Sequence, residues 1–250
     1  MKKYLKAIQS GFLQQLNEKA QLVGRLLLFT VIVYLFYQIF ESVGASEERL
    51  WYYAMTEAIV LSSTLLAVQI AQDIRSQQIV YFLLKPIDYP SFRITESMGA
   101  ALFRFMVLII WGLGYLSFLK GVGPISLYTV ITSFFVGIIG VFLYTQMSFL
   151  IGLLSFWIKD IKTLQYLNLT ATFCFGGLII PISYYPPLMQ KICFFTPYPW
   201  ILWWPGTIFS GGEIPFVSAF CCISLWIGFF VGLNRFIFYR YMKNLVMEGG

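Results

Sequence analysis

Apolar residues run along this chain in blocks of about 20, separated by short polar stretches. A bilayer core needs roughly 20 apolar residues per helical crossing. Six blocks qualify: residues 22–40, 51–71, 94–119, 125–158, 163–183 and 214–239. The fourth is long enough to tilt or to project beyond the membrane. Residues 1–20 are patterned differently. Leu5, Ile8, Phe12 and Leu16 recur at helical spacing, opposite Lys2, Lys6, Gln9 and Lys19. Such a helix lies in the membrane interface with its lysines toward anionic headgroups; a solvated tail is the alternative. The pattern divides the chain into an amphipathic interfacial helix at 1–20 and a six-span transmembrane domain at 21–250.

Two stretches fit neither pattern. Residues 72–93, QDIRSQQIVYFLLKPIDYPSFR, carry Asp73, Arg75, Lys85, Asp88 and Arg93, too many charges to cross a bilayer. They also carry Ile74, Ile79, Val80, Phe82, Leu83 and Leu84, too many apolar residues for a solvated loop. On one helix, Asp73, Gln77 and Tyr81 share a side and Ile79, Phe82 and Leu83 take another. Pro86 and Pro90 are expected to stop that helix. It rests on either the membrane face or a soluble partner. The second stretch, 184–213 with its flanks, holds Pro181, Pro186, Pro187, Pro197, Pro199, Pro205 and Pro215 among Tyr184, Tyr185, Trp200, Trp203 and Trp204. Short broken helices dipping back into the outer leaflet fit this mixture, with the aromatics at headgroup depth. An aromatic belt without a gating role is the other reading.

Composition turns the blocks into membrane spans. Only 11% of the 250 residues are charged and mean hydropathy is +0.77, whereas soluble domains are about 25% charged. The expected fold class is an all-α integral membrane protein. Placing both termini in the cytoplasm puts thirteen Lys and Arg on that side, against Arg49, Lys120 and Lys191 outside. The positive-inside rule therefore orients 72–93 and the turn at Lys159–Lys162 toward the cytoplasm. The net charge of +6 follows from that bias and needs no nucleic acid. The lysines at the start are not followed by an uninterrupted apolar core, so no secretory signal is expected.

The chemistry is sparse. The chain has no histidine, and its four cysteines form no CxxC pair, so free thiols are expected and no metal site. No phosphate-cradling G-x-x-x-x-G-K-[ST], G-x-S-x-G or HExxH occurs. No catalytic residue is assigned, and the chain is not expected to be an enzyme by itself. Glu57, Glu96 and Arg104 are the ionisable residues within or bordering spans. At 1.5 Å rise per residue, Glu57 lies roughly 9 Å below the outer end of its span and Arg104 roughly 15 Å above the inner end of the next. In a core of about 30 Å their heights differ by about 6 Å. They either pair, directly or through water, or are solvated separately in a polar cavity. Tyr144, Thr145, Gln146, Ser148, Asn168, Thr170 and Thr172 serve as interhelical hydrogen-bond partners or line a path. Gly137, Gly140, Gly176 and Gly177 permit close helix approach.

The run from Asp73-Ile74-Arg75-Ser76-Gln77-Gln78-Ile79 to Leu83-Leu84-Lys85-Pro86 resembles the D-I-R-S-G-x-I…L-L-x-P pattern of one branch of the ABC-2 type transporter permeases. Gln77 stands where that pattern usually has glycine. Glutamine is the better helix former, so one helix over 72–85 is still expected. The whole organisation is similar too: an amino-terminal amphipathic helix, six spans, and a proline-aromatic segment before the last.

The resemblance implies an exporter membrane subunit of the inner (plasma) membrane, paired with an identical or related permease. Two separate ATPase subunits, holding ATP and magnesium, would dock on the 72–85 helix. It makes Asp73, Arg75, Gln77 and Gln78 ATPase contacts, with Lys159, Asp160 and Lys162 secondary. Ile79, Phe82 and Leu83 would anchor the helix to its own bundle. Aromatic walls bearing few charges suggest an amphipathic or hydrophobic substrate. An ATP-independent transporter or channel, or an intramembrane enzyme, are the competing classes. No inverted repeat or clustered polar site speaks for either.

Overall fold

Twelve α-helices and two single turns of 3-10 helix account for the secondary structure, with no strand among the described residues. The structure is a computed structural model that describes residues 2–44, 47–83, 87–120, 126–212 and 215–248. Leu84, Lys85 and Pro86 of the motif, and residues 125, 213 and 214 at expected boundaries, lie outside the described residues, as does the side chain of Leu83.

The first helix, α1 (Lys2–Asn17), meets α2 (Lys19–Ser42) at Glu18. The second apolar block forms two helices, α3 (Glu47–Ser62) and α4 (Leu66–Arg75), and α5 (Gln78–Leu83) follows as a separate short piece. Then come α6 (Tyr89–Lys120), α7 (Leu127–Leu153) and α8 (Ile161–Gly176). Three short helices follow, α9 (Pro187–Phe194), α10 (Tyr198–Ile201) and α11 (Trp203–Phe209), before the closing α12 (Phe216–Glu248).

Among the described residues, five stretches are long and apolar enough to cross a membrane: 19–42, 48–75, 89–120, 127–156 and 216–241. The remaining block is represented by α8. Its 16 residues are about 24 Å long at 1.5 Å per residue. It ends because Gly177 takes a left-handed conformation, φ +75°, as its C-cap. Residues beyond it turn away, so the helix does not extend to 183.

At the centre, α7 touches α3, α4, α6, α8, α10, α11 and α12. Small residues let it do so. A Cβ on Gly140 would lie 2.8 Å from the Ile201 carbonyl, and one on Gly152 would lie 2.6 Å from the Ile70 side chain. The contact between α1 and α6 is closer still. A Cβ on Gly11 would meet the Glu96 carbonyl at 2.0 Å, and one on Gly99 would meet the Ile8 carbonyl at 2.2 Å. Backbone therefore lies on backbone, and the inward face of α1 is Ala7, Gly11 and Gln15. Of the expected apolar stripe, Leu5, Ile8 and Leu16 stay exposed and free to face lipid, whereas Phe12 packs edge-on against Phe103 of α6.

The helices α9 to α11 fold back onto α3 and the middle of α7. Tyr52 donates to the Gly177 carbonyl at 2.6 Å, Arg49 lies 4.8 Å from the Tyr184 ring centre, and Trp51 meets Phe209 edge-on. The prolines begin helices as much as they end them: Pro187 opens α9, and Pro199 lies in the first turn of α10. Pro186 and Pro187 are exposed, whereas Pro197 and Pro199 are buried. Trp204 is wholly buried and packs on Phe216; Trp203, half-buried, packs on Phe194. Trp204 belongs to the same core cluster as Met55 and Phe105.

Candidate functional site

The stretch expected to form one helix over 72–85 is divided in two. Helix α4 carries the second span through Arg75 and stops. Gln77 then takes φ +57°, the one non-glycine residue with positive φ among the described residues. A side chain at that angle crowds the following carbonyl, so the chain turns there and α5 starts in a new direction. Glycine at this place in the resembled pattern has the same physical cause. The expectation that glutamine's helix propensity would keep one helix intact is corrected: this position needs a turn former. Pro90 is corrected likewise, because it sits in the first turn of α6, where a missing N–H costs nothing. The Asp88 carboxylate accepts from the Ser91 backbone N–H at 3.2 Å and caps that start. Partial burial acts against ionisation of Asp88, but hydrogen bonds from Ser91 and Tyr239 outweigh it and hold the carboxyl below its usual range.

Asp73 points into the protein. It is 4% exposed. Arg93 grips it with Nε to Oδ2 at 2.8 Å and Nη2 to Oδ1 at 2.9 Å, and Tyr89 donates to Oδ2 at 2.6 Å. Arg93 also reaches Glu96 at 2.8 Å. Asp73 thus has no surface to offer a partner, and its place among the contact residues is withdrawn. The buried ring of Tyr89 stacks on Phe238, and Phe82 meets Tyr89 edge-on while lying 4.9 Å under the Arg93 guanidinium. Ile79 is 1% exposed within the same cluster. The inner face of α5 therefore packs into a cluster with residues of α6, α7 and α12, in line with the anchoring that the resemblance implied for Ile79 and Phe82.

The remaining contact positions lie on the surface, and Arg75 converges with Lys159, Asp160 and Lys162. Arg75, Gln77 and Gln78 are exposed at the end of α4 and the start of α5, and Lys159, Asp160 and Lys162 are exposed before and within α8. Arg75 Nη2 donates to the Lys159 carbonyl. Gln72, Arg75, Ser76 and residues 159–162 then line one cleft of about 440 Å³. Two stretches 84 residues apart make one surface. Asp160 caps α8 by accepting from Thr163 N at 3.2 Å and Thr163 Oγ1 at 2.5 Å. Those bonds, with the nearby Arg75 charge, hold its carboxyl below the ordinary aspartate range.

Glu57 and Arg104 form no direct ion pair. Arg104 donates from Nη1 to the Ser63 carbonyl at 2.9 Å and from Nε to the Ala100 carbonyl at 3.2 Å. Depth along straight helices brought the two together on paper, but the second span is not straight. It breaks at 63–65, and the carbonyls freed there take the guanidinium instead. Arg25 donates to the Leu61 carbonyl from another side. Sequence reading missed this break. Its signal was the run Ser62-Ser63-Thr64, three short hydroxyl side chains that compete with helical bonding.

The other intramembrane polar residues mostly join helices. Gln165 reaches Tyr144 at 3.2 Å and Ser148 at 3.4 Å, Tyr198 donates to Asn168 at 3.3 Å, and Asn234 donates to the Gln146 carbonyl at 2.9 Å. That arrangement favours the interhelical role over a path lining.

With this geometry in view, comparison with known proteins is specific on one point. Comparison with curated proteins yields no match. A family model described as "ABC-2 family transporter protein" matches residues 21–249, which takes in every helix from α3 to α12. The chain is therefore a multi-pass membrane protein that belongs to the ABC-2 family of transporter proteins.

Proposed function

We propose that the chain is the permease subunit of an ATP-driven exporter, working as a pair of identical or related permeases with two separate ATPase subunits. ATP and magnesium belong to those partners, and hydrolysis is their chemistry. The chain lies in the inner membrane of a cell with both termini cytoplasmic. It crosses six times, with α8 as the fifth crossing and α9 to α11 re-entering from the outside.

The observation that carries this reading is the bond from Arg75 to the Lys159 carbonyl. It joins the α4–α5 turn to the α7–α8 turn in one exposed basic cleft. A partner that closes and opens needs a contact surface larger than one short helix. It also needs that surface tied to the spans. The first requirement is met by the merged cleft. The second is met by Asp73, Arg93 and Tyr89, which lock the end of α4 to the start of α6 beneath it. Movement at the cleft is then delivered to the second and third spans together. The transported molecule is amphipathic or hydrophobic, in keeping with walls of Phe, Trp and Tyr.

The test is association. Purified with its ATPase, the wild type carries nucleotide hydrolysis through affinity capture. Arg75→Glu inverts one charge of the cleft and is expected to reduce that activity at least fivefold while leaving insertion intact. Undiminished capture by the mutant overturns the docking assignment.

A further inference from the structure

Beside the Asp73 cluster lies a second, deeper space of about 410 Å³, walled by α1, α2, α4 and α6. Its lining is mostly polar, including three arginines, Arg25, Arg93 and Arg104, and three carboxylates, Glu18, Asp73 and Glu96. These six do not pair evenly. Arg93 takes both Asp73 and Glu96. Glu18 accepts from Gln14 at 3.0 Å and Gln15 at 3.3 Å and forms no ion pair. Arg25 and Arg104 bind only neutral carbonyls: those of Leu61 and Ser63 at the break in the second span, and that of Ala100 on α6.

Arg104 is 4% exposed, and its Nη2 has no acceptor among the described residues. A guanidinium offers five N–H donors in a planar fork suited to carboxylate or phosphate. Glu18 acts on both cations from across the cavity but touches neither, so each guanidinium lacks an anion in direct contact, which is costly at this depth, and main-chain carbonyls supply dipoles but no opposite charge. The start of α4 lies at the same cavity. Leu65 caps it without any side-chain bond, so its first N–H groups contribute a further positive field at the same wall. Thr64 and Leu65 both line the cavity.

We propose that this cavity binds a phosphate group between Arg25 and Arg104. The phosphate belongs either to the headgroup of a membrane amphiphile or to a free anion. The amphiphile would enter where α1, with its exposed Leu5 and Leu16, meets the bilayer. The site does not depend on docking at the basic cleft, and it is measured without an ATPase.

The experiment is equilibrium binding to the full-length chain, purified in a neutral sugar detergent. The probes are short-chain phosphatidylglycerol, the matching diacylglycerol, and inorganic phosphate. Phosphatidylglycerol is expected to bind while diacylglycerol does not. Arg25→Gln and Arg104→Gln should each weaken phosphatidylglycerol at least tenfold, with Lys191→Gln unchanged. Should Arg104→Gln not fold, Gln69→Phe narrows the cavity, keeps both arginines and should lower affinity similarly. Displacement of the lipid by millimolar inorganic phosphate identifies a free anion as a competent ligand; no displacement identifies the headgroup. Equal binding of diacylglycerol and phosphatidylglycerol, or affinities within twofold of wild type in Arg25→Gln and in every folded cavity variant, overturns the proposal.

Discussion

Arg93 holds Asp73 by two parallel hydrogen bonds across the gap between the second and third spans, 20 residues apart in sequence. The pair sits directly under the surface that carries Arg75 and Gln78. Its side chains are 17% and 6% exposed, so the charges are largely removed from water. Replacing Asp73 by Asn keeps the shape but leaves Arg93 with only Glu96. Removing one partner of a buried pair costs about 3–5 kcal/mol; with Glu96 as a second partner, about 2 kcal/mol is expected. Thermal unfolding of purified Asp73→Asn should show that loss, and Arg93→Lys, which cannot reproduce the two-point grip, should show a similar one.

The turn at Gln77 makes the opposite forecast. A left-handed conformation costs a non-glycine residue roughly 1–2 kcal/mol, and glycine's greater freedom when unfolded returns part of that. Gln77→Gly should therefore stabilise the protein by about 0.5–1 kcal/mol. Gln77→Val should destabilise it by more than that, because a β-branched side chain tolerates positive φ least. Both are read from unfolding midpoints; a stabilised valine variant would remove the turn from the account.

The backbone contact between α1 and α6 is testable by access. Ala7 is 2% exposed, so a cysteine placed there should react slowly with a thiol reagent. Adding Gly99→Val forces a side chain toward the Ile8 carbonyl. Labelling at position 7, located by peptide mass, should then rise at least tenfold as α1 lifts away. Unchanged labelling would place α1 elsewhere.

Asp160 separates capping from charge. Its carboxyl is held below the usual range by Thr163. A depressed value in the folded state means that the cap's contribution is present at neutral pH. It is lost only as pH falls through the folded value, below the ordinary aspartate value of about 3.9. Asp160→Ala should lower the unfolding midpoint at pH 7, and the gap to wild type should close toward pH 3. Asp160→Asn, a good cap that does not titrate, should stay near wild type at pH 7 and exceed it as the wild-type carboxylate is protonated at low pH. A gap independent of pH would contradict the carboxylate's role.

Much of this architecture was legible because membrane helices announce themselves by length and composition. The blocks at 22–40, 94–119 and 214–239 are seen as α2, α6 and α12, each helix extending beyond its block. What escaped were features that depend on a partner far away in sequence. Nothing local to Asp73 says that Arg93 and Tyr89 will enclose it, and an exposed lever residue and a buried hub residue look alike on a helical wheel. A direct pair of Glu57 with Arg104 is absent for a related reason: height was measured along a helix assumed continuous, and the chain breaks at 63–65. Gln77 misled because propensity favoured helix where the path of the chain required a turn. Gly11 and Gly99 went unremarked because backbone contact leaves no periodic trace.

The central claim is that one surface, built from the α4–α5 turn and the α7–α8 turn, receives the ATPase. Cysteines placed singly at Gln78 and Lys162 in the assembled, nucleotide-hydrolysing complex test it most directly. Both should cross-link to the ATPase subunit through a short thiol-to-lysine reagent, and a cysteine at Lys191 should not. If Lys191 cross-links and neither of the other two does, the account is wrong.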